Sequence, residues 1–546
     1  MRSHTESQRR ADLIVHGGPV VTMAPGVREA DHLVVRGGAV VAVGGDASEW
    51  AGPGTEFLDL EGRMVVPGFQ DAHVHPSTGG LNLLRCDLAG DADRRDYVDT
   101  IRRYADAHPD RIWILGGGWG MDRFPSGIPT REELDAVVAD RPVFLVNRDG
   151  HGAWVNSKAL ELAGIHRNTA DPADGRIERD AGGEPIGCLQ EGAMDLVERV
   201  LPETTEDELQ RALAEGQRHL LSLGVTAWQD AWVTPVVEKA YRALASNGTL
   251  KARVVGALWW ERGEGEEQIE DLLARRAKGP AGRFRPGAVK MMLDGVAENF
   301  TASMLHPYLC ADGRPTANRG LDFIDPSLLG GYVTALDAFG FQVHFHAIGD
   351  GAVRNALDAI DESRRVNGAS QNRHHIAHLQ VVHPDDIPRF RLLNVVANAQ
   401  PFWAVHEDQQ DVLTLPFLGP ERGGWQYPWH SLVSAGARLA FGSDWSVSTP
   451  NPLVIIETAL RRVSPFNRAG APFHPEERLD LETALRAATK GSAYVNHLDD
   501  RTGTLEPGKL SDFVVLDRDI RKVPHDEIGD TRVEMTFIEG ECVHGG

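Results

Sequence analysis

The chain has 546 residues, 42% hydrophobic and 25% charged, the composition of a globular protein with a large core rather than of a disordered segment. Lys and Arg number 56 against 79 Asp and Glu, a formal charge of −23, so an evenly spread surface repels phosphate backbones and anionic membranes. Nucleic acid is therefore not an expected partner, and no apolar run is long enough to cross a bilayer.

The N-terminal MRSHTESQRR has no apolar core after its basic residues, which makes a cytoplasmic location the default expectation. Cys86, Cys188, Cys310 and Cys542 lie far apart without a CxxC pair, so buried reduced thiols are expected, not a disulfide framework or a thiolate metal site. Short β-like segments, ADLIVHGGPVVTM and HLVVRGGAVVAVGG, occupy the first sixty residues, and SDFVVLDRD and VEMTFIEGECVHG the last forty. Strands from both ends can complete one unit, a small β-sandwich domain built from residues 1–63 and 496–546.

Between them, over residues 64–495, eight apolar runs recur with helical patterns such as TALDAFG and NPLVIIETALRRV interposed: RMVVPGFQDAHVH, GVTAWQD, ARVVGALWW, AVKMMLDG, GFQVHFHAIGD, RHHIAHLQ, NVVANAQPFW and ARLAFGSDW. That alternation predicts an α/β fold, a parallel sheet closed into a (β/α)8 TIM barrel. The first two runs are nearly 150 residues apart, so an inserted α/β subdomain is expected at about 80–215. Within it Thr130 and Glu133 predict a capping box, and Asn156 or Ser157 caps the next helix. A smaller insertion should follow Gly295, in the turn-rich ENFTASMLHPYLCADGRPTANRG.

In such a barrel chemistry collects at the carboxyl ends of the strands. Run one closes on His73 and His75, which alternate onto one face of a strand ~7 Å apart and can converge on one ion. Run four carries Lys290, run five His344 and His346, run six His374, His375 and His378, and run eight Asp444. Any one of these histidines alone reads as an ordinary hydrogen-bonding residue. Together, imidazoles and a carboxylate at so many strand ends are the donor mixture borderline divalent metals prefer. An ammonium is no ligand, so Lys290 is either a carbamate formed with carbon dioxide, able to bridge two ions, or a buried lysine paired with Asp294 or another acid.

The set VVPGFQDAHVHP, VKMMLDG, HAIGD, IAHLQ and GSDW resembles the amidohydrolase superfamily, and more narrowly the family-3 amidohydrolases that include N-substituted formamide deformylases. The likeness spans nearly the whole chain, including GGGWG, DGHGAWVNSKAL, GRIERDAGGEPIGCLQEGA and TGTLEPGKLSDFVVLD. It implies two divalent metal ions, commonly zinc, with His73, His75 and Asp444 on the first, His346 and His378 on the second, and a carboxylated Lys290 as the bridge. The sequence departs from the family in having Ala377 where a Glu is usual, and His344 is a rival to His346 on the same strand face.

The expected reaction is hydrolysis of a C–N amide bond of an N-substituted formamide or other N-acyl compound. A metal-activated hydroxide attacks the carbonyl, and Asp444 passes a proton to the leaving nitrogen. Trp119, Trp154, Trp228, Trp259, Trp260, Trp403 and Trp445 fall near strand ends or in the insertion, and Trp119, Trp154, Trp403 and Trp445 are candidate walls for an apolar pocket. His151, in DGHGAW, resembles a family position near the substrate. The alternatives are a cyclic amide or imide hydrolase of the hydantoinase or dihydroorotase kind, and a catalytically silent metal-binding barrel. The expected partner is a small-molecule amide, and a homodimer is the family-level expectation. GGGWG lacks a suitably placed acidic ribose-binding residue, which argues against nucleotide binding.

Overall fold

Eight strands each overlap one of the eight apolar runs, the second extending past its run and the fourth starting before it: β1 (Phe69–Val74), β2 (Val225–Val233), β3 (Arg253–Trp259), β4 (Phe284–Met292), β5 (Gln342–Ala347), β6 (His375–His378), β7 (Val396–Ala399) and β8 (Arg438–Phe441). In this computed structural model, which describes residues 10–90 and 93–545 apart from the side chain of residue 126, they pair in chain order and in parallel. The first nine residues, whose lack of an apolar core set the expected location, lie outside the described residues.

Helices cover the sheet because their apolar residues recur at helical spacing. In Pro235–Ser246, Val237, Ala240, Tyr241 and Leu244 are buried along one stripe, and Thr234 caps the N-terminus with Pro235 in the first turn. The helix Asp350–Asn367 ends at Gly368, whose φ of 82° is open to glycine at little cost. The two edge strands, β1 and β8, meet at a seam stitched beyond their ends: the Asp444 N–H donates to the His73 carbonyl at 2.8 Å, and the His75 N–H to the Trp445 carbonyl at 2.7 Å. That stitching brings the first and last strand ends together.

The segment between β1 and β2 carries a six-stranded mixed sheet, from Cys86–Asp87 to Pro185–Glu191, with its own apolar core. Its helices start as the sequence predicts: the Thr130 N–H donates to Glu133 Oε2 at 3.1 Å, and Asn156 Oδ1 accepts from the Ala159 N–H at 3.0 Å. Strands from the two chain ends join one eight-stranded sheet, in which Phe513–Leu516 pairs antiparallel with Met64–Pro67. Cys86 and Cys188 are buried and in no disulfide among the described residues, but Cys310 is only half-buried and Cys542 is exposed, correcting the expectation for those two. Among the described residues no helix is long and apolar enough to cross a membrane.

Candidate metal centre

His73 is the penultimate residue of β1, and His75 lies one residue beyond it, ahead of Pro76, which opens the helix Pro76–Leu84. A residue before proline is kept out of the helical region, so His75 stays non-helical just past the strand end (φ −120°, ψ 70°), and its ring turns toward that of His73. Their Nε2 atoms stand 3.2 Å apart. Asp444 follows β8 in the left-handed region at φ 56°, and its Oδ1 lies 3.1 Å from His73 Nε2 and 3.0 Å from His75 Nε2.

These three atoms form a nearly equilateral triangle, close to the edge of about 3.3 Å that a tetrahedral ion with 2.0–2.1 Å bonds requires. Asp444 Oδ1 is buried and satisfies hydrogen-bond geometry with neither imidazole. A buried acceptor facing two ring nitrogens at ligand spacing is what a divalent cation fits. Among the described residues, this is the cluster of three metal-ligating groups.

The electrostatics agree. Burial drives the His73, His346 and His378 imidazoles well below their ordinary range, which keeps them neutral with a lone pair to give. Burial alone would raise the Asp444 carboxyl, but the His75 ring nitrogen 3.0 Å away and the Lys290 ammonium nearby outweigh it and hold the group below the usual carboxylate range.

His378 and His346 stand beside the triangle, their ring centroids 4.5 Å apart, and the His378 ring lies 4.7 Å from that of His73. The buried His378 Nδ1 has no hydrogen-bond partner and sits 3.9 Å from Asp444 Oδ2. His346 Nε2 lies 3.3 Å from the Gly295 carbonyl, which can only accept, so the proton is on Nε2 and the Nδ1 lone pair is free. The other histidine of β5 has different surroundings: His344 has both ring nitrogens engaged, with His73 Nδ1 and Gln229 Oε1, each at 2.8 Å. In run six, His374 is held by the Val343 N–H and Asp337, and His375 by Gln229 and Asn398, leaving His378 at the mouth.

Lys290, in register with His344, is buried and makes no side-chain hydrogen bond or ion pair among the described residues. Burial pulls its amine down to about 8, against the raising charges of Asp444 and Asp230. The pairing with Asp294 allowed by the sequence does not form. Asp294 instead accepts the N–H groups of Ser303, Ile348 and Gly349 at 2.9–3.0 Å, and burial pushes its carboxyl up to about 8.

The insertion reaches the mouth through His151, whose ring centroid is 5.6 Å from that of His346. Its Nδ1 binds Glu191 Oε2 at 2.9 Å, and Glu191 in turn accepts from Thr301 Oγ1 at 2.7 Å. Burial opposes charge on His151, but Glu191 and Asp149 overcome it and raise the imidazole to about 9. Trp403 stacks on His378 with centroids 5.1 Å apart and planes 2° apart.

Three expected pocket tryptophans sit elsewhere. Trp119 and Trp154 are buried in the core of the insertion, their indole N–H groups bonded to the Leu145 and Thr130 carbonyls, because a large ring with one polar atom is satisfied there. Trp445 is wedged beside Gly79 and against His219, under the helix that follows β1. Sequence reasoning missed Trp232, which is 43% exposed and packs edge-on to His75 at 6.5 Å, and Glu191. It also missed Gln229 and Gln342, although two glutamines inside otherwise apolar strands were a readable signal.

Comparison with known proteins agrees with this geometry. The chain is 33% identical over 530 residues to the LONG AFTER FAR-RED 3 protein of Arabidopsis thaliana, covering 93% of this chain and 87% of the relative. It is 27% identical to the N-substituted formamide deformylase of Arthrobacter pascens, over 97% of each chain. An uncharacterized metal-dependent hydrolase from Pyrococcus furiosus has the same fold, with a TM-score of 0.70 at 28% identity, covering 93% of this chain and 99% of that one. The family model described as the Amidohydrolase family matches residues 56–544, the whole barrel and part of the flanking sheet, so the chain belongs to the amidohydrolase family and is a hydrolase of that kind.

Proposed function

We propose that the protein is a metal-dependent hydrolase cleaving the C–N bond of a small N-acyl amine, with N-substituted formamides as the first substrate class to try. The carrying observation is Asp444: a buried carboxylate with one oxygen unpartnered between His73 and His75 and the other turned toward His378. The full-length likeness to a formamide deformylase supports the choice of substrate class.

His73, His75 and Asp444 would hold one ion, His346 through Nδ1 and His378 a second, and Lys290, carboxylated on Nζ, would bridge them. When bound, a divalent ion lowers the pKa of water from 15.7 toward ~7 and polarises a carbonyl. Asp444 Oδ2 accepts the proton of the attacking water and returns it to the leaving nitrogen, the work of a positioned acid–base group. His151, oriented by Glu191, presents its other ring nitrogen toward the mouth beside His346 and orients the acyl group. Trp232, edge-on to His75, and Trp403, stacked on His378, would give an apolar N-substituent two flat walls.

The test is metal analysis of the purified chain together with a panel of N-formyl amines, N-acyl amino acids and hydantoins. About two ions per chain and turnover of the formyl amines are expected. Hydantoin cleavage alone would replace the substrate class, and a metal-free active enzyme would sink the reading.

A further inference from the structure

Beneath the candidate ligands the barrel interior is polar rather than apolar: Gln229, Gln342, His344, His375 and Asn398 are all buried, at 0–1% exposure, on strands β2, β5, β6 and β7. Such a group is costly unless every donor meets an acceptor, and here the direction of each link follows from neighbours that can play only one part.

Gln342 Nε2 donates to two backbone carbonyls, those of Arg373 at 2.8 Å and Val495 at 2.9 Å, so its Oε1 must be the acceptor facing β2. Gln229 Nε2 donates to that oxygen at 3.0 Å, which turns Gln229 Oε1 toward the histidines as an acceptor. From the other side, Asn398 Nδ2 donates to the Ala72 carbonyl at 2.9 Å and faces His375 Nδ1 at 3.1 Å. Asn398 Oδ1 accepts from Gln400 Nε2, whose own Oε1 takes the His378 N–H. His375 Nδ1 is therefore an acceptor, and its Nε2–H donates to Gln229 Oε1 at 3.0 Å. His344 Nδ1, at 2.8 Å from the same oxygen, donates as well. A neutral His344 then has an unprotonated Nε2, and the His73 Nδ1 at 2.8 Å carries the proton between them.

We propose that this buried relay, anchored on the Arg373 and Val495 carbonyls, locks His73 in the Nδ1–H tautomer, so that its Nε2 lone pair is always turned on the cation held with His75 and Asp444. His344, Gln229 and Gln342 are thus positioning residues acting through His73. The proposal rests on the reading of His73 as a ligand. A ring free to swap tautomers would spend part of its time presenting an N–H to a dication. Outer partners of ligating histidines act this way generally, and their loss weakens metal binding about 10–100-fold.

The experiment compares the parent chain with His344→Phe, which removes the acceptor for the His73 proton, and His344→Gln, whose side-chain oxygen restores one. Zinc affinity is measured by chelator competition, with cobalt substitution reporting the ligand field and the melting temperature of the metal-free chain reporting folding. Expected are a 10–100-fold weaker affinity in His344→Phe, recovery to within about threefold of the parent in His344→Gln, and metal-free melting temperatures that do not follow this order. If His344→Phe does not fold, Gln342→Met, which leaves the His73–His344 contact in place and frees the Gln229 amide to flip, should still weaken zinc by about tenfold. Parent-like affinity in a folded His344→Phe or Gln342→Met chain overturns the relay while leaving His73 a ligand. A parent chain that takes up no zinc overturns the ligand reading and the relay with it.

Discussion

Asp444 faces His73 twice: its N–H donates to the His73 carbonyl at 2.8 Å, and its Oδ1 lies 3.1 Å from the His73 Nε2 with no hydrogen bond between them. The residues that end the first and last barrel strands are thus fixed to one another by backbone before their side chains converge. Asp444→Asn keeps the backbone link and the volume but loses the anion and the proton acceptor. Steady-state kinetics on a formyl amine should show kcat reduced about 10²–10⁴-fold. Undiminished turnover in a metal-loaded variant would remove Asp444 from the chemistry.

Trp403 lies flat on His378, so its indole acts as a plate against a ring whose Nδ1 makes no hydrogen bond among the described residues. Trp403→Phe should preserve this plate and most activity, whereas Trp403→Ala should lower kcat about tenfold by letting the imidazole swing. Saturation kinetics separate this from a change in KM, and equal kcat values in the two variants would refute the plate.

The His151–Glu191 pair makes stability depend on pH. The folded imidazole, raised to about 9, lies above its ordinary value of about 6.5, so its contribution is fully present below pH ~6.5 and is lost as pH rises through about 9. The amount at stake is on the order of 3 kcal/mol. Urea unfolding at pH 6.5 and 9.5 should show Glu191→Gln losing most of that dependence, and parallel curves for parent and variant would contradict it.

Gly80 sits where the helix Pro76–Leu84 crosses Glu206–Ser222, and a Cβ there would collide with the Ala212 carbonyl. Gly80→Ala should cost about 1–3 kcal/mol because backbone must move. At Gly26 an added Cβ meets nothing within 4 Å, so Gly26→Ala is the matched control. Thermal unfolding of both variants checks the difference.

Among the described residues Lys290 makes no ion pair, and its amine is lowered to about 8, leaving a neutral fraction near neutral pH to react with carbon dioxide. Protein equilibrated with 13C-bicarbonate should show a carbamate carbon signal that is absent in Lys290→Met and lost on acidification.

By itself the sequence determined the barrel and the strand ends. Apolar runs of strand length separated by helical stripes have few ways to bury their faces, and each of the eight runs overlaps one strand. The pairing of His73 with His75 was also legible, since a period of two and a following proline are local properties. Only the tertiary structure sets His344 and His346 apart, because the difference rests on Gln229, more than a hundred residues away, which engages the His344 ring, while His346 meets the Gly295 carbonyl. The same holds for the tryptophans. Trp119, Trp154 and Trp445 look like Trp403 in sequence, but whether an indole lines a pocket or fills a core depends on what packs over it. That contact is made by segments distant in the chain, and no local pattern encodes it.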